Sequence, residues 1–275
     1  MFTLSGFADE IAQSLEEQIE TLKKLKIRYL ELRGVWGKNV LSLDDAEVER
    51  VKAALTAAGI GVSAIGSPIG KVGINEDFAP HLERVKRALE IAKVLGTQYI
   101  RIFSYFIPEG EDPARYREEV MRRMKMKTET AKAAGITLLH ENEKQIFGDQ
   151  PERCLDIIET VNSLSLRGIF DPANFVQCGR LPYDECWPIL KKHIVYFHIK
   201  DALLGSGEGV PAGQGDGGVA KILKEAKSAG FKGFLSVEPH LGALGKKENL
   251  TGAQLFEKAV KALRKILKDI GGKET

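Results

Sequence analysis

Val195-Tyr196-Phe197-His198-Ile199-Lys200-Asp201-Ala202 reads as a buried strand that ends in polar residues. Side chains alternate along a strand, so Val195, Phe197 and Ile199 share one face and Tyr196, His198 and Lys200 share the other. A face that carries His and Lys toward its end is not plain core. In a parallel barrel that end is the C-terminal rim, where such folds keep their chemistry. Three other apolar runs end in a carboxylate: Leu138-Leu139-His140-Glu141, Gly168-Ile169-Phe170-Asp171 and Leu235-Ser236-Val237-Glu238.

Working outward, short apolar runs alternate with amphipathic helical stretches from one end to the other. Strands are expected over residues 3–7, 29–33, 62–66, 99–103, 136–141, 167–171, 195–202 and 234–238. Ser14 starts a helix, and Glu17 is placed to complete a capping box with it. Gly59, Gly96, Gly135 and Gly230 each close a helix just before the next strand, where glycine supplies a left-handed cap. Residues 252–268 carry Leu255, Phe256, Ala259, Val260, Leu263, Ile266 and Leu267 on one helical face. Eight units of strand and helix close a barrel. The expected fold is therefore α/β, a single-domain (β/α)8 TIM barrel over residues 1–270, with 271–275 as a frayed tail. Between residues 205 and 218 glycine recurs every second or third position, just before a helix expected at about Val219. Amides there could hold an anion, or the segment could be a mobile rim loop.

The 275 residues suit one such barrel. A net charge of +2 leaves no excess of cations for a polyanion, so no nucleic-acid partner is expected. The basic run Met121-Arg122-Arg123-Met124-Lys125-Met126-Lys127 is expected to be a solvated helix face. Three cysteines without C-x-x-C spacing suit a reducing compartment. The N-terminus lacks a basic segment followed by an apolar run, and no stretch approaches about 18 apolar residues. The expectation is a cytoplasmic enzyme with no membrane contact, acting alone or as a homo-oligomer.

Glu141, Asp171, His198 and Glu238 come from the ends of four consecutive strands and so converge on one arc. Three carboxylates that close repel unless a cation neutralises them. Two Glu, one Asp and one neutral His form an oxygen-rich set that suits Mn²⁺, Mg²⁺ or Co²⁺, with Zn²⁺ also able to bind, better than a closed structural zinc site. Lys200 shares the inner face with His198. It can bind a substrate hydroxyl or pair with Asp201.

Across nearly its full length the chain resembles the xylose isomerase-like (β/α)8 superfamily, in its sugar phosphate isomerase/epimerase branch, which is related to ketose 3-epimerases, inosose dehydratases and endonuclease IV. The pieces that carry the resemblance are Ser-Gly-Phe-Ala-Asp-Glu at 5–10, Glu-Leu-Arg-Gly-Val-Trp at 31–36, His-Glu-Asn at 140–142, Phe-Asp-Pro-Ala-Asn-Phe at 170–175, Phe-His-Ile-Lys-Asp at 197–201 and Ser-Val-Glu-Pro-His at 236–240. It implies Glu141, Asp171, His198 and Glu238 as ligands of one divalent ion, with Glu141 and Glu238 also serving as catalytic acid/bases. It implies a divalent-metal-dependent sugar isomerase or epimerase that moves a proton through a metal-held enediolate. Substrate contacts are expected from Glu31, Arg33, Trp36, Asn174, Lys200 and His240, with a small sugar or sugar derivative as partner. Two departures matter. Where the epimerases carry a His three residues past the aspartate, this chain has Asn174; where they carry an Arg six residues past the metal-binding His, it has Leu204. A metal-dependent dehydratase or lyase acting on a keto-inositol or 3-keto-glycoside is the alternative, and a sugar sensor without turnover is a third. The extra His ligands of endonuclease IV are missing.

Overall fold

The computed structural model describes residues 1–275. The eight strands are β1 Thr3–Gly6, β2 Tyr29–Leu32, β3 Gly61–Ile65, β4 Tyr99–Ile102, β5 Thr137–Glu141, β6 Leu166–Phe170, β7 Ile194–Ile199 and β8 Phe234–Val237. The main helices between them are α1 Leu15–Lys24, α2 Asp45–Ala58, α3 Phe78–Leu95, α4 Arg117–Ala133, α5 Pro151–Val161, α6 Pro172–Gln177, α7 Trp187–Leu190, α8 Val219–Ser228, α9 Gly242–Glu248 and α10 Gly252–Asp269. The strands form one parallel sheet in the order β1-β8-β7-β6-β5-β4-β3-β2. β1 and β2 come together at the seam and close the cylinder. This is the expected (β/α)8 barrel in one domain. No helix is long and apolar enough to cross a membrane.

Two layers of core result. Ala64, Leu139, Ile169 and Tyr196 pack inside the barrel, and a large continuous cluster fills the space between strands and helices. The alternation of each strand sorts its side chains between these two layers. Register shifts fall at Leu30/Glu31, where Ser63 of β3 is left unpaired, and at Gly168/Ile169, where Val195 of β7 is left unpaired. Bulges of this kind re-aim the side chains beyond them, and both lie beneath the mouth. Gly59 and Gly96 end α2 and α3 in the left-handed conformation, with φ of 68° and 70°.

In the tail, Phe2 N–H donates to Lys273 O and Thr275 N–H to Phe2 O, and Arg264 pairs with Glu274 at 2.6 Å. Three expectations need correction. Ser14 accepts the Glu17 amide, but the Glu17 side chain does not return to the Ser14 backbone N–H, so the capping box is only half made. The basic stretch in α4 is only half solvated. Met121, Arg123, Met124 and Lys127 recur at helical spacing on the face turned to the barrel and are buried. Lys127 Nζ donates to Phe103 O at 3.1 Å and lies over the Tyr105 ring. Burial pushes its amine down to about 7, with Arg123 adding to the effect.

The glycine-rich segment is neither an open anion site nor a free flap. Asp201 Oδ2 accepts the amides of Gly213 and Gly215, and Oδ1 accepts those of Gly217 and Ala202, at 2.8–3.1 Å. Three of the segment's glycine amides are thus spent on an anion of the same chain. Glycine is required by close approach, because a Cβ at Gly215 or Gly217 would come within 2.5 or 2.6 Å of Asp201 Oδ1. Residues 201–202 also pair antiparallel with 209–210. Asp201→Ala should leave the buried amides of Ala202 and Gly217 unsatisfied, at a cost of about 1–3 kcal/mol each, and free the more exposed amides of Gly213 and Gly215. The expected result is a lower melting temperature and new protease cleavage within residues 205–218. Unchanged cleavage in limited proteolysis would show that the loop does not depend on Asp201.

Candidate metal centre

Four side chains meet above the ends of β5 to β8. Glu141 closes β5, Asp171 and Glu238 directly follow β6 and β8, and His198 sits near the end of β7. One ligand-type atom from each lies within 4.8 Å of the others, and all four residues are buried. Alternation places these residues inside the barrel, one layer above Leu139, Ile169 and Tyr196.

Each ligand is held from behind. Asp171 caps α6, its Oδ1 accepting the Asn174 amide at 2.9 Å. Its backbone is clamped by Asn142, which accepts from Asp171 N–H and donates to Asp171 O. Asn174 Nδ2 donates to Glu141 Oε1 at 3.1 Å. The imidazole of His198 sets Nε2 3.2 Å from Glu31 Oε2 and Nδ1 3.0 Å from Glu141 Oε1. Glu31 in turn accepts from Tyr196 OH at 2.9 Å. Tyr196 OH also lies 2.9 Å from Ser63 Oγ, and Ser63 Oγ is 2.6 Å from Ser5 Oγ. The residue that the β2–β3 bulge leaves unpaired therefore anchors a buried hydroxyl chain beneath the imidazole. A carboxylate on the far nitrogen fixes ring orientation and tautomer, as in metal sites generally.

Three cations face the acids. Arg101 Nη1 lies 3.3 Å from Glu141 Oε2, and its other nitrogens donate to Ser67 O and Gly66 O. Arg33 Nη1 lies 2.7 Å from Glu238 Oε1 while its other nitrogens reach Asp9 and Glu10. Lys200 Nζ lies 2.9 Å from Asp171 Oδ2 and 3.2 Å from Glu238 Oε2. It does not pair with Asp201, whose carboxylate holds the glycine-rich loop.

The electrostatics follow from this packing. Burial raises the Asp171 carboxyl to about 6, with Lys200 pulling against it. Burial also opposes the charge on Glu141, but His198 and Arg101 outweigh it and hold the carboxyl down at about 2. Glu238 lies well below the usual carboxylate range, because Lys200, His240 and Arg33 together overcome its desolvation. His198 moves the other way from an ordinary buried histidine. Desolvation disfavours its charge, yet Glu141 and Glu31 raise it to about 10.

Glu141 Oε1 and His198 Nδ1 face each other at 3.0 Å, and Asp171 Oδ2 and Glu238 Oε2 both face Lys200 Nζ. The four candidate ligands thus converge on one small volume. With two Glu, one Asp and one His, the set fits a divalent ion with hard or borderline preferences. A second cluster of Glu10, Glu238 and His240 also exists, but Arg33 already bridges Glu10 and Glu238 there.

The remaining expected contacts separate into two groups. Arg33, Asn174, Lys200 and His240 border the cluster. His240 Nε2 is 3.2 Å from Glu238 Oε1, the side chain is 47% exposed, and its backbone holds a φ of 46°. Glu31 is only 1% exposed and lies behind His198, its Oε2 3.2 Å from Nε2. Trp36 carries the Arg50 guanidinium of α2 over its ring at 4.4 Å. Arg101 and Tyr196 are site residues the sequence reading did not single out. A signal existed for Arg101: Tyr99, Arg101 and Phe103 share one parity, and an Arg in mid-strand needs a buried acid.

A family model described as a xylose isomerase-like TIM barrel matches residues 19–266. No curated protein matches the chain. Among solved structures, a D-tagatose 3-epimerase-like protein superposes with a TM-score of 0.80 at 17% identity, over 98% of both chains. The IOLI protein with a bound zinc atom gives 0.79 at 19% identity, over 98% of this chain and 99% of that one. The probable 3-DHS dehydratase AsbF from Bacillus anthracis gives 0.74 at 16% identity, over 96% and 98%. At such identities the likeness is one of fold.

The raised His198 makes a prediction for the metal-free protein. Ion-pair stability from this group is complete below pH 6.5 and drains away as pH rises toward about 10. Histidine ¹⁵N NMR at pH 8 should therefore show His198 as an imidazolium. Bound Zn²⁺, which needs a neutral ring, should expel that proton. A neutral His198 at pH 8 without metal would contradict the ion-pair account.

Proposed function

The chain belongs to the xylose isomerase-like TIM-barrel family, and from that premise we propose that it is a divalent-metal-dependent sugar isomerase or epimerase. The observation that carries the reading is the convergence of Glu141, Asp171, His198 and Glu238, all buried, with one ligand-type atom of each within 4.8 Å of the others. Glu141, Asp171, His198 and Glu238 would hold the ion, which when bound would polarise a substrate carbonyl and acidify the adjacent C–H, an effect worth several kcal/mol.

The chain's own residues supply the proton transfers. Asn174 fixes Glu141 Oε1, so Oε2 is the oxygen left to take a proton from carbon. Arg101 beside Oε2 keeps that carboxylate ionised and ready. The electron pair released from the C–H bond moves onto the carbonyl oxygen, giving an enediolate. Glu238, supplied by β8 at the opposite side of the arc, takes a proton from the His240 imidazolium 3.2 Å from its Oε1 and delivers it to the enediolate, and solvent reprotonates the half-exposed His240. Return to the same carbon from the opposite face inverts it; return to the neighbouring carbon exchanges aldose and ketose. Phe7 and Phe103 flank the Arg101 guanidinium and keep water from it. Positioned acid/base groups of this kind contribute about 10²–10⁴-fold each.

A second reading has its own observation. The Lys200 ammonium stands beside Glu238 Oε2, where it could protonate a hydroxyl leaving from the β-carbon. The same enediolate would then lose water, making the protein a dehydratase or lyase acting on a keto-inositol or 3-keto-glycoside. The Asn174 and Leu204 departures from the epimerase pattern favour this reading.

Incubating the Mn²⁺-loaded protein with ketoses, keto-inositols and 3-keto-glycosides in deuterated water separates these. An isomerase or epimerase takes up deuterium with no loss of water, whereas a dehydratase gives a product lighter by one water. Glu141→Gln and Glu238→Gln should each lower kcat by about 10²–10⁴-fold, and Asp171→Ala should lose metal and turnover together. Full turnover in chelator-stripped protein would overturn the metal dependence.

A further inference from the structure

We propose that Lys200 is an internal counter-ion that competes with the divalent cation, and that metal uptake drives its Nζ away from Asp171 and Glu238 toward the mouth and the substrate. This rests on the metal-dependent reading above and extends it to how the centre is loaded.

Free carboxylate oxygens are scarce at this cluster. Asp171 Oδ1 is tied to the Asn174 amide at 2.9 Å, leaving Oδ2 as the oxygen free to bind a cation. Glu238 Oε1 is held by Arg33 at 2.7 Å and by His240 at 3.2 Å, leaving Oε2. Lys200 Nζ sits 2.9 Å from the first free oxygen and 3.2 Å from the second. One ammonium therefore occupies the last open oxygen on two of the four candidate ligands. A divalent ion on the same oxygens would face that ammonium a few ångströms away in a site with little water, where like charges repel strongly.

Of the three cations at the mouth, only Lys200 is free to give way. Arg101 is held by Ser67 O and Gly66 O, and Arg33 by Asp9 and Glu10. Asp171 and Glu238 are the only ion-pair partners of Lys200. Its four-carbon stem can swing without backbone movement. The backbone itself is pinned by its neighbour Asp201, which grips the amides of Gly213, Gly215 and Gly217. The displacement is thus confined to one side chain. It would deliver a charged donor to the place where substrate oxygens enter.

The test is calorimetric titration of Mn²⁺ into wild-type protein, Lys200→Met and Lys200→Arg at one fixed pH. Without its competitor the Met variant should melt at lower temperature when metal-free, yet bind Mn²⁺ on the order of tenfold or more tightly than wild type. The Arg variant, which keeps the charge, should stay near wild-type affinity. Wild-type binding with equal or weaker binding by Lys200→Met would overturn this inference and leave the proposed function standing. No binding by any of the three would overturn the metal reading itself. Should Lys200→Met fail to fold, Lys200→Gln takes its place. Amine acylation of the wild-type protein, read at Lys200 by mass spectrometry, gives a measurement without substitution. Labelling should rise when Mn²⁺ is added, and labelling that stays the same would sink the competition.

Discussion

Four carboxylates are buried together, those of Glu141, Asp171 and Glu238 at the mouth of the barrel and that of Glu31 just behind His198. An ion moved out of water costs several kcal/mol even after the surroundings relax, so this group is tenable only with positive charge packed into it. Arg33, Arg101 and Lys200 provide it, each in direct contact with an acid, and His198 lies between Glu31 and Glu141. Much of the rest of the mouth serves to keep these partners in register. Asn174 and Asn142 fix two of the acids, and the Tyr196–Ser63–Ser5 hydroxyl chain stiffens the floor.

The same balance gives the cluster its chemical reach. Its cations differ in how firmly they are held: two guanidiniums are clamped by backbone carbonyls or further acids, while one ammonium is held only by the acids it neutralises. A site of that kind can exchange a resident charge for an incoming one without refolding. The barrel supplies rigidity below, and the Asp201-centred loop supplies it at the side. Motion is left to a single flexible side chain.

The barrel was legible in the sequence because its signals are local and periodic. Strand parity put Glu141, Asp171, His198 and Glu238 on one rim, and the glycines at 59 and 96 marked helix ends by their left-handed backbone. What could not be read depends on contacts between distant strands. Glu31 lies on the inner face like the others, but only the β2–β3 bulge sets it behind His198 instead of at the mouth. Trp36 is stacked against Arg50 of the next helix, a contact that the sequence around it does not announce. Lys127 carries a hydrophilic side chain on the buried face of α4, made tolerable by one carbonyl and one aromatic ring. The glycine-rich loop was visible as glycine, but the anion it wraps is Asp201 of its own chain, which composition cannot disclose.

An anomalous-difference map at the manganese edge, from crystals grown with Mn²⁺, tests the centre most directly. The account requires one strong peak per chain, in bonding contact with an oxygen from each of Glu141, Asp171 and Glu238 and with Nδ1 of His198. A map with no peak among these four side chains, under conditions that saturate the protein in solution, would contradict it.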